Sequence, residues 1–226
     1  MKKNIDFHLQ VPGGETTVLL HTCCAPCSSA IIEAMLKDGI TPVIYYCNPN
    51  IYPLEEYEIR KNECTRYAQA LGLEIVDADY DHERWLEEVK GLENEPERGG
   101  RCLKCFKIRL LRTAQYAAQR GIKVITTTLA SSRWKSLDQI NEAGRWACQQ
   151  VVPPDGKVIW WNHNWRKNGL QERRLQIIKE YDFYNQLYCG CEFSMHRNQS
   201  TGLPSSSDLT STTQFSLTSE GMSSLL

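Results

Sequence analysis

The sequence predicts an α/β protein with an open, mostly parallel sheet, because short apolar segments alternate with helical patterns along most of its 226 residues. Five segments are rich in apolar and β-branched residues, which favour buried parallel strands. Ligands of such sheets bind beyond the carboxyl ends of the strands, so we expect the functional site there. The predicted strands are residues 17–21, 41–47, 73–77, 123–129 and 157–161.

Each predicted helix follows one of these strands or the loop after it. The first begins at Pro26, since proline is favoured in the first turn of a helix, and residues 31–36 supply its apolar face. Proline and glycine mark turns at 12–14 and 95–101. Further helices are predicted over 54–71, 81–91, 102 to roughly 120, 136–149 and 170–181.

The composition divides the chain into three parts. Residues 1–15 form a polar lead-in, and residues 16–199 carry the alternating strands and helices of one domain. Residues 200–226 are rich in serine and threonine and have little apolar surface to bury, so we expect a disordered tail.

Charge and hydropathy limit the classes of partner that we expect for this chain. The net charge is −1, which provides no global attraction to nucleic acid or to a membrane surface. The first residues lack the pattern of a signal peptide, and no apolar run approaches the roughly 18 residues that a membrane span needs. We therefore predict a cytoplasmic protein without membrane contact.

The ten cysteines are the most informative feature of the sequence. Cys47, Cys64 and Cys148 stand alone, which is typical of packing residues. In a reducing compartment, bunched thiols indicate metal ligands or redox groups rather than structural disulfides. The others form three clusters: Cys23-Cys24-x-x-Cys27, Cys102-x-x-Cys105 and Cys189-x-Cys191.

The first two clusters have the character of a metal site. Cys102 and Cys105 show the two-residue spacing of zinc and iron–sulfur sites, and Cys23 with Cys24 completes a set of four thiolates. Four thiolates suit either a 4Fe–4S cluster or a closed zinc site, and spacing alone leaves both open. The further clustered cysteines exceed what a structural zinc needs, which favours iron–sulfur.

The third cluster places one glycine between two cysteines. Gly190 permits the unusual backbone torsions that bring Cys189 and Cys191 together. A disulfide across so small a ring is strained and easily reduced, which favours a redox relay over a structural bridge. A second pair of metal ligands is the other interpretation.

Five motifs follow one another along residues 16–197 and contain the three cysteine clusters. The motifs are His21-Thr22-Cys23-Cys24-Ala25-Pro26, Tyr46-Cys47-Asn48-Pro49-Asn50-Ile51 with Glu56, Tyr57 and Arg60, Arg101-Cys102-x-x-Cys105, Thr126-Thr127-Thr128-Leu129 with Ser131-Ser132, and Tyr188-Cys189-Gly190-Cys191-x-Phe193-Ser194. Taken together and in this order, they resemble the QueH-type epoxyqueuosine reductases. This family is similar in fold to adenine-nucleotide α-hydrolase-like and PP-loop proteins, which implies a Rossmann-like three-layer arrangement.

The resemblance implies an oxidoreductase that removes the epoxide oxygen of epoxyqueuosine at the wobble position of a tRNA, the last step of queuosine synthesis. An external electron donor is implied as well. A 4Fe–4S cluster would be held by Cys23, Cys24, Cys102 and Cys105, and Cys189–Cys191 would be the redox-active disulfide. An additional iron is implied beside the cluster. Cys27 is a candidate ligand for it, at a position where the family pattern also admits an acidic residue.

Two other functions stay open at this point. One is a zinc-stabilised nucleic-acid-binding domain without catalysis, and the other is a different iron–sulfur enzyme that modifies tRNA, such as a thiolation protein. The loop at 22–27 lacks the glycines that a phosphate-binding loop needs, so we expect no use of ATP.

A tRNA substrate requires a local binding surface on a chain of nearly neutral charge. The segment 98–112 is basic, and we expect its side chains to contact phosphates. Trp134, Trp165 and Tyr52 are candidates for stacking on splayed bases. The basic residues of this segment are Arg98, Arg101, Lys104, Lys107, Arg109 and Arg112.

The candidate proton donors lie near strand ends or the cysteine clusters. They are His21, Tyr46, Asp77 and Tyr188.

Overall fold

A parallel sheet forms the centre of the protein, which a computed structural model describes over residues 7–151, 157–186 and 188–199. All neighbouring strands pair in parallel, in the order β3-β2-β1-β4-β5. Helices flank this sheet, which confirms the predicted open, Rossmann-like three-layer class. The strands are β1 (Thr17–Thr22), β2 (Thr41–Tyr46), β3 (Ile75–Asp77), β4 (Val124–Thr127) and β5 (Ile159–Trp160).

The helices form two groups. Helix α1 packs against α2 and α6, and α4 packs against α3 and α5. Right-handed crossovers place such groups on opposite faces of a sheet whose strand order reverses once. The helices are α1 (Ala25–Lys37), α2 (Leu54–Ala70), α3 (His82–Glu88), α4 (Gly100–Gln119), α5 (Leu137–Gln149), α6 (Leu170–Glu180) and α7 (Glu192–Gln199).

Most predicted elements are confirmed, with shifts at the ends of several of them, including β3, β4, β5 and α3, and with one additional helix. Helix α7 was not predicted, because its short sequence has little amphipathic pattern. Strand β4 ends at Thr127, two residues before the predicted end. The side chain of Thr127 accepts a hydrogen bond from the backbone N–H of Leu129 at 3.2 Å, and this contact starts a 3-10 turn over Thr128–Ser131.

Strand β1 lies at the centre of the sheet and of the core. Val18, Leu19 and Leu20 have no exposed surface. Such continuous burial is typical of a parallel strand covered on both faces. The chain leaves β1 toward β2 on one side, while β4 lies on the other side, so the strand order reverses here. This reversal opens a crevice at the carboxyl end of β1, where Cys23 and Cys24 follow directly.

The start of the described chain packs on the domain. Pro12–Gly14 forms a 3-10 turn, as predicted, and His8 and Leu9 bind the carboxylate of Asp38. The predicted tail at 200–226 lies outside the described residues, as do residues 1–6 of the lead-in. Within the described residues, no helix combines the length and the apolar character that crossing a membrane requires.

Candidate metal and redox site

Three cysteines at the carboxyl end of β1 form a compact sulfur group. Cys23 and Cys24 connect β1 to α1, and Cys27 lies in the first turn of α1. Their sulfur atoms all lie within 4.8 Å of one another, and the Sγ atoms of Cys23 and Cys24 are 3.8 Å apart. Two thiolates on one tetrahedral ion, at about 2.3 Å each, lie about 3.8 Å apart. The group therefore has the spacing of ligands to a single metal ion.

Only one of these three thiols, Cys23, has a pKa below the ordinary value for cysteine. Hydrogen bonds with Cys24 and Cys27 outweigh burial and hold the pKa of the Cys23 thiol well below its ordinary value. Burial raises the pKa of Cys24 well above its ordinary value. The hydrogen bond with Cys23, together with burial, raises the pKa of Cys27 to about 12. Cys23 is thus the thiolate of the group, and a thiolate is the form that binds metal.

Polar side chains from distant segments surround these sulfurs. Thr128 accepts a hydrogen bond from the backbone N–H of Cys23 at 3.2 Å, and its hydroxyl lies 3.4 Å from the Cys23 sulfur. The amide of Gln186 donates to the sulfur of Cys24 at 2.9 Å. The turn after β4 and the C-terminal part of the domain therefore both position this sulfur group.

The other clustered cysteines line one pocket. Cys102 and Cys105 lie in the first turns of α4 and share the pocket with Cys189 and Cys191. The backbone N–H of Arg98 donates to the Cys102 sulfur at 3.3 Å. Burial raises the pKa of the Cys102 and Cys105 thiols, and raises that of Cys191 to about 12. All ten cysteines are free thiols in this structure.

Lys135 distinguishes Cys189 from Cys191. The Lys135 ammonium lies 3.1 Å from the sulfur of Cys189, an exposed residue, whereas Cys191 is buried. Desolvation alone would raise the pKa of the Cys189 thiol, but Lys135 and Arg109 outweigh it and lower that pKa. The two thiols therefore differ in accessibility and in acidity.

The segment that carries this dithiol is held by a buried arginine. Arg60 forms an ion pair with Glu56 at 2.7 Å and donates to the backbone carbonyls of Tyr188 and Cys189 at 3.2 and 3.4 Å. Gly190 has a φ of 100°, and a Cβ there would lie 2.9 Å from both Arg60 and Ile51. Gly190 thus has the unusual backbone torsion that was predicted for it, one that favours glycine.

Arg109 lies between two thiol groups. One is the compact sulfur group of Cys23, Cys24 and Cys27, and the other is the set of cysteines that line the pocket. The Arg109 side chain is buried, with 2% exposed, and it donates to His21 Nε2 at 3.3 Å, to the Cys47 carbonyl at 3.2 Å and to Asn48 Oδ1. These partners are neutral. Its positive charge contributes to the lowered pKa values of Cys23 and Cys189, and it offsets part of the rise that burial causes in the pKa of Cys105.

His21 is a neutral member of this network. Burial and the charge of Arg109 lower its pKa to about 3. Nδ1 of His21 lies 2.6 Å from the hydroxyl of Thr127, and Nε2 lies 3.1 Å from the Cys47 carbonyl as well as 3.3 Å from Nε of Arg109. His21 therefore orients Arg109 and is not a charged acid near neutral pH. Burial also raises the pKa of Tyr46, another predicted candidate for proton transfer.

The prediction of a basic tRNA-binding segment is wrong for part of 98–112. Arg101 and Arg109 are buried, and Arg101 donates to the backbone carbonyls of 92, 93 and 95. Lys104 and Lys107 form ion pairs with Glu88 and Glu142. Stacking by Trp165 is also excluded, because it has no exposed surface, whereas Trp134 is 78% exposed.

The roles of three residues in the site, Arg109, Arg60 and Lys135, were not predicted from the sequence. A signal existed for Arg109, which lies seven and four residues after Cys102 and Cys105 and therefore on their face of α4. Arg60 and Lys135 both contact Cys189, which lies 129 and 54 positions away in the sequence. No local sequence pattern predicts contacts over such distances.

A crevice at the strand-order reversal, thiols in two groups and cationic side chains beside them together define a thiol-rich metal or redox enzyme on a Rossmann-like sheet. A family model described as "Epoxyqueuosine reductase QueH" matches residues 18–197. The chain belongs to the QueH family of epoxyqueuosine reductases, which are oxidoreductases.

Curated relatives support this membership. The chain is 47% identical over 187 residues to the epoxyqueuosine reductase QueH of Haemophilus influenzae, covering 83% of this chain and 75% of the relative. It is 46% identical to that of Acinetobacter baylyi, with 83% and 84% covered. The Thermotoga maritima protein of the same name is 34% identical over 182 residues, with 79% and 90% covered.

Replacing Arg60 tests how the dithiol segment is held. We expect Arg60→Met to lower the free energy of unfolding by about 3–5 kcal/mol, because it leaves Glu56 charged and buried without its partner. Urea unfolding measures this change. Lys61→Met is the matched control on the same helix, since Lys61 pairs with half-exposed carboxylates and should contribute about 1 kcal/mol or less. Equal effects of the two substitutions would contradict the role given to Arg60.

Proposed function

We propose that this protein reduces epoxyqueuosine in tRNA to queuosine by removing the epoxide oxygen. The reaction takes two electrons and two protons, forms an alkene and releases the oxygen as water. The observation that carries the proposal is the pair of thiol groups joined by Arg109 at the carboxyl end of β1, in a chain that belongs to the QueH family. Neither a zinc-stabilised binding domain nor another tRNA-modifying enzyme is favoured by that membership.

The donor set fits an iron–sulfur group. In this proposal Cys23, Cys24, Cys102 and Cys105 hold a 4Fe–4S cluster, because thiolates are the ligands that such clusters take. The spacing of the compact sulfur group supports Cys27 as a ligand of an additional iron. When bound, the cluster supplies electrons one at a time, and the additional iron supplies Lewis acidity.

Buried positive charge also supports an anionic group here. Arg109 has neutral hydrogen-bond partners, and a buried cation without an anion is costly. Thiolates on either side of Arg109 provide the missing negative charge. The chain therefore favours one deprotonated cysteine on each side of Arg109, namely Cys23 and Cys189.

Cys189 and Cys191 serve as the two-electron relay in this proposal. Oxidation of this pair to a disulfide, with Cys189 as the thiolate and Cys191 as the thiol, releases the two electrons that the epoxide requires and one of the two protons. The second proton comes from water. Lys135 holds Cys189 as the thiolate, while Cys191 keeps its proton at neutral pH. An external donor then reduces the disulfide again. We place this activity in the cytoplasm, where tRNA and reducing conditions occur together.

Turnover of the substrate tests the proposal directly. Anaerobically reconstituted protein should convert epoxyqueuosine-tRNA to queuosine-tRNA, read by mass spectrometry of the nucleosides. Cys189→Ser and Cys191→Ser should each allow at most one turnover per chain, whereas Cys148→Ser, a lone cysteine on α5, should retain full turnover. No conversion by the unaltered protein would overturn the function. Multiple turnover by the Cys189 and Cys191 variants would remove the relay.

Iron content tests the ligand set. We expect anaerobically purified protein to be brown and to contain iron, and Cys102→Ser and Cys105→Ser to lose the broad visible absorption together with most of that iron. Cys27→Ser should lose only the additional iron and keep the colour. Metal analysis with Cys148→Ser as control measures both. A colourless protein that contains zinc would contradict the assignment.

The reactivity of Cys189 tests the role of Lys135. Removal of the ammonium in Lys135→Met should raise the pKa of the Cys189 thiol, which lowers the thiolate fraction at neutral pH. If that pKa rises by about one unit, alkylation at pH 7 slows about ten-fold and the rate profile moves to higher pH. Peptide mass spectrometry after timed iodoacetamide treatment measures this rate. Lys104→Met, which removes a lysine paired with Glu88, should leave it unchanged.

A further inference from the structure

Trp134 is the most exposed large hydrophobic residue in the described part of the chain, with 78% of its surface accessible. Single exposed apolar residues are common in proteins and usually need no explanation. Trp134 differs from such residues in its position, in the rigidity of its backbone and in the charge around it.

The position of Trp134 connects it to the redox site. It lines the same pocket as Cys102 and Cys189, and the next residue in the chain is Lys135, which contacts Cys189. The indole therefore stands at the rim of the pocket that holds the proposed relay. A substrate that reaches this pocket passes Trp134.

The backbone that carries Trp134 is fixed from both sides. Arg98 donates to the carbonyls of Trp134 and Arg133 at 3.0 and 2.9 Å, and the Trp134 N–H donates to the Ser132 hydroxyl at 3.3 Å. Arg166 donates to the carbonyl of Lys135 at 2.8 Å. A ring on so firmly held a segment loses little entropy when a ligand covers it.

The surroundings of the ring favour a polyanion with flat, apolar bases. Arg98 and Arg133 are both exposed beside it, and Glu97 is the acidic residue of the pocket lining. Unpaired RNA bases stack on tryptophan, while nearby cations contact the phosphates. The other exposed aromatic candidate, Tyr52, is already stacked on His82 with ring centroids 5.6 Å apart.

We propose that Trp134 is a stacking platform for an unpaired base of the RNA substrate, adjacent to the nucleotide that enters the pocket. This inference rests on the proposed function and names a contact that it requires. Stacking needs a base that has left its own helix, so the contact selects a loop over a duplex.

Binding of an RNA hairpin tests the contact without any chemistry on the substrate. The probe is a fluorescein-labelled hairpin with an unpaired anticodon-type loop and no epoxide, and fluorescence anisotropy gives its Kd for the full-length protein. Trp134→Ala should weaken binding about 5- to 150-fold, which corresponds to the loss of one stacked base. Trp134→Phe should restore most of the affinity, because it keeps an aromatic face.

Two controls identify stacking as the cause. Leu36→Ala also removes an exposed apolar side chain, but at the end of α1 that lies away from the site, so its Kd should match that of the unaltered protein. A blunt duplex RNA without unpaired bases should bind equally to the unaltered protein and to Trp134→Ala. Both results are expected if the indole covers an unpaired base.

Three outcomes decide the matter. An unchanged Kd for the hairpin with Trp134→Ala overturns the inference, and so does an equal loss for hairpin and duplex. A loss confined to the hairpin supports it. Since the hairpin carries no epoxide, this loss can occur in a protein that fails to reduce epoxyqueuosine-tRNA, in which case the proposed function fails and the stacking contact stands.

Discussion

The arrangement of the site depends on positive charge placed among thiols inside the protein. The guanidinium of Arg109 is almost fully buried, and the ammonium of Lys135 lies against a sulfur. Removing a cation such as the Arg109 guanidinium from water costs several kcal/mol unless negative charge lies close by. The acidic thiols Cys23 and Cys189 provide this charge, while His21 and Asn48 fix the guanidinium through neutral contacts. Arg109 thus favours a thiolate on each side of it, and Lys135 makes one thiol of the Cys189/Cys191 pair more nucleophilic.

The topology of the sheet explains why these groups meet. Residues from the ends of β1 and β2, from α4 and from the turn after β4 converge because parallel strands present their carboxyl ends at one edge. Arg109 contacts His21 across 88 positions of sequence, and Thr128 contacts Cys23 across 105. The segment 188–191 completes the site through Arg60 and through the backbone N–H of Tyr52, which donates to the Gly190 carbonyl at 2.8 Å.

The strands, most helices and the thiol clusters could be predicted because they depend on local signals. Apolar runs, β-branched residues and cysteine spacing are properties of neighbouring positions, and the order of alternation limits the fold to a few topologies. Partners could not be predicted in the same way. Arg109 was grouped with solvent-exposed cations because its neighbours in sequence are charged, yet it lies on the cysteine face of α4. Periodicity identifies that face, but only the packed sheet shows that a buried cation there points toward thiols of β1 as well.

The location of the cations also explains how a chain of net charge −1 can act on a polyanion. Much of the basic segment at the start of α4 is engaged inside the protein or in ion pairs, so it adds little to long-range attraction. The proposed recognition of RNA therefore rests on short-range contacts at the rim of the pocket, where Arg98 and Arg133 are exposed beside Trp134. Short-range contacts with bases distinguish an unpaired loop from other RNA, whereas a broad basic surface would attract any RNA. Some cations of the chain are thus buried beside the thiols, and a few others are exposed at the rim of the pocket. This separation suits selective binding of an unpaired RNA loop.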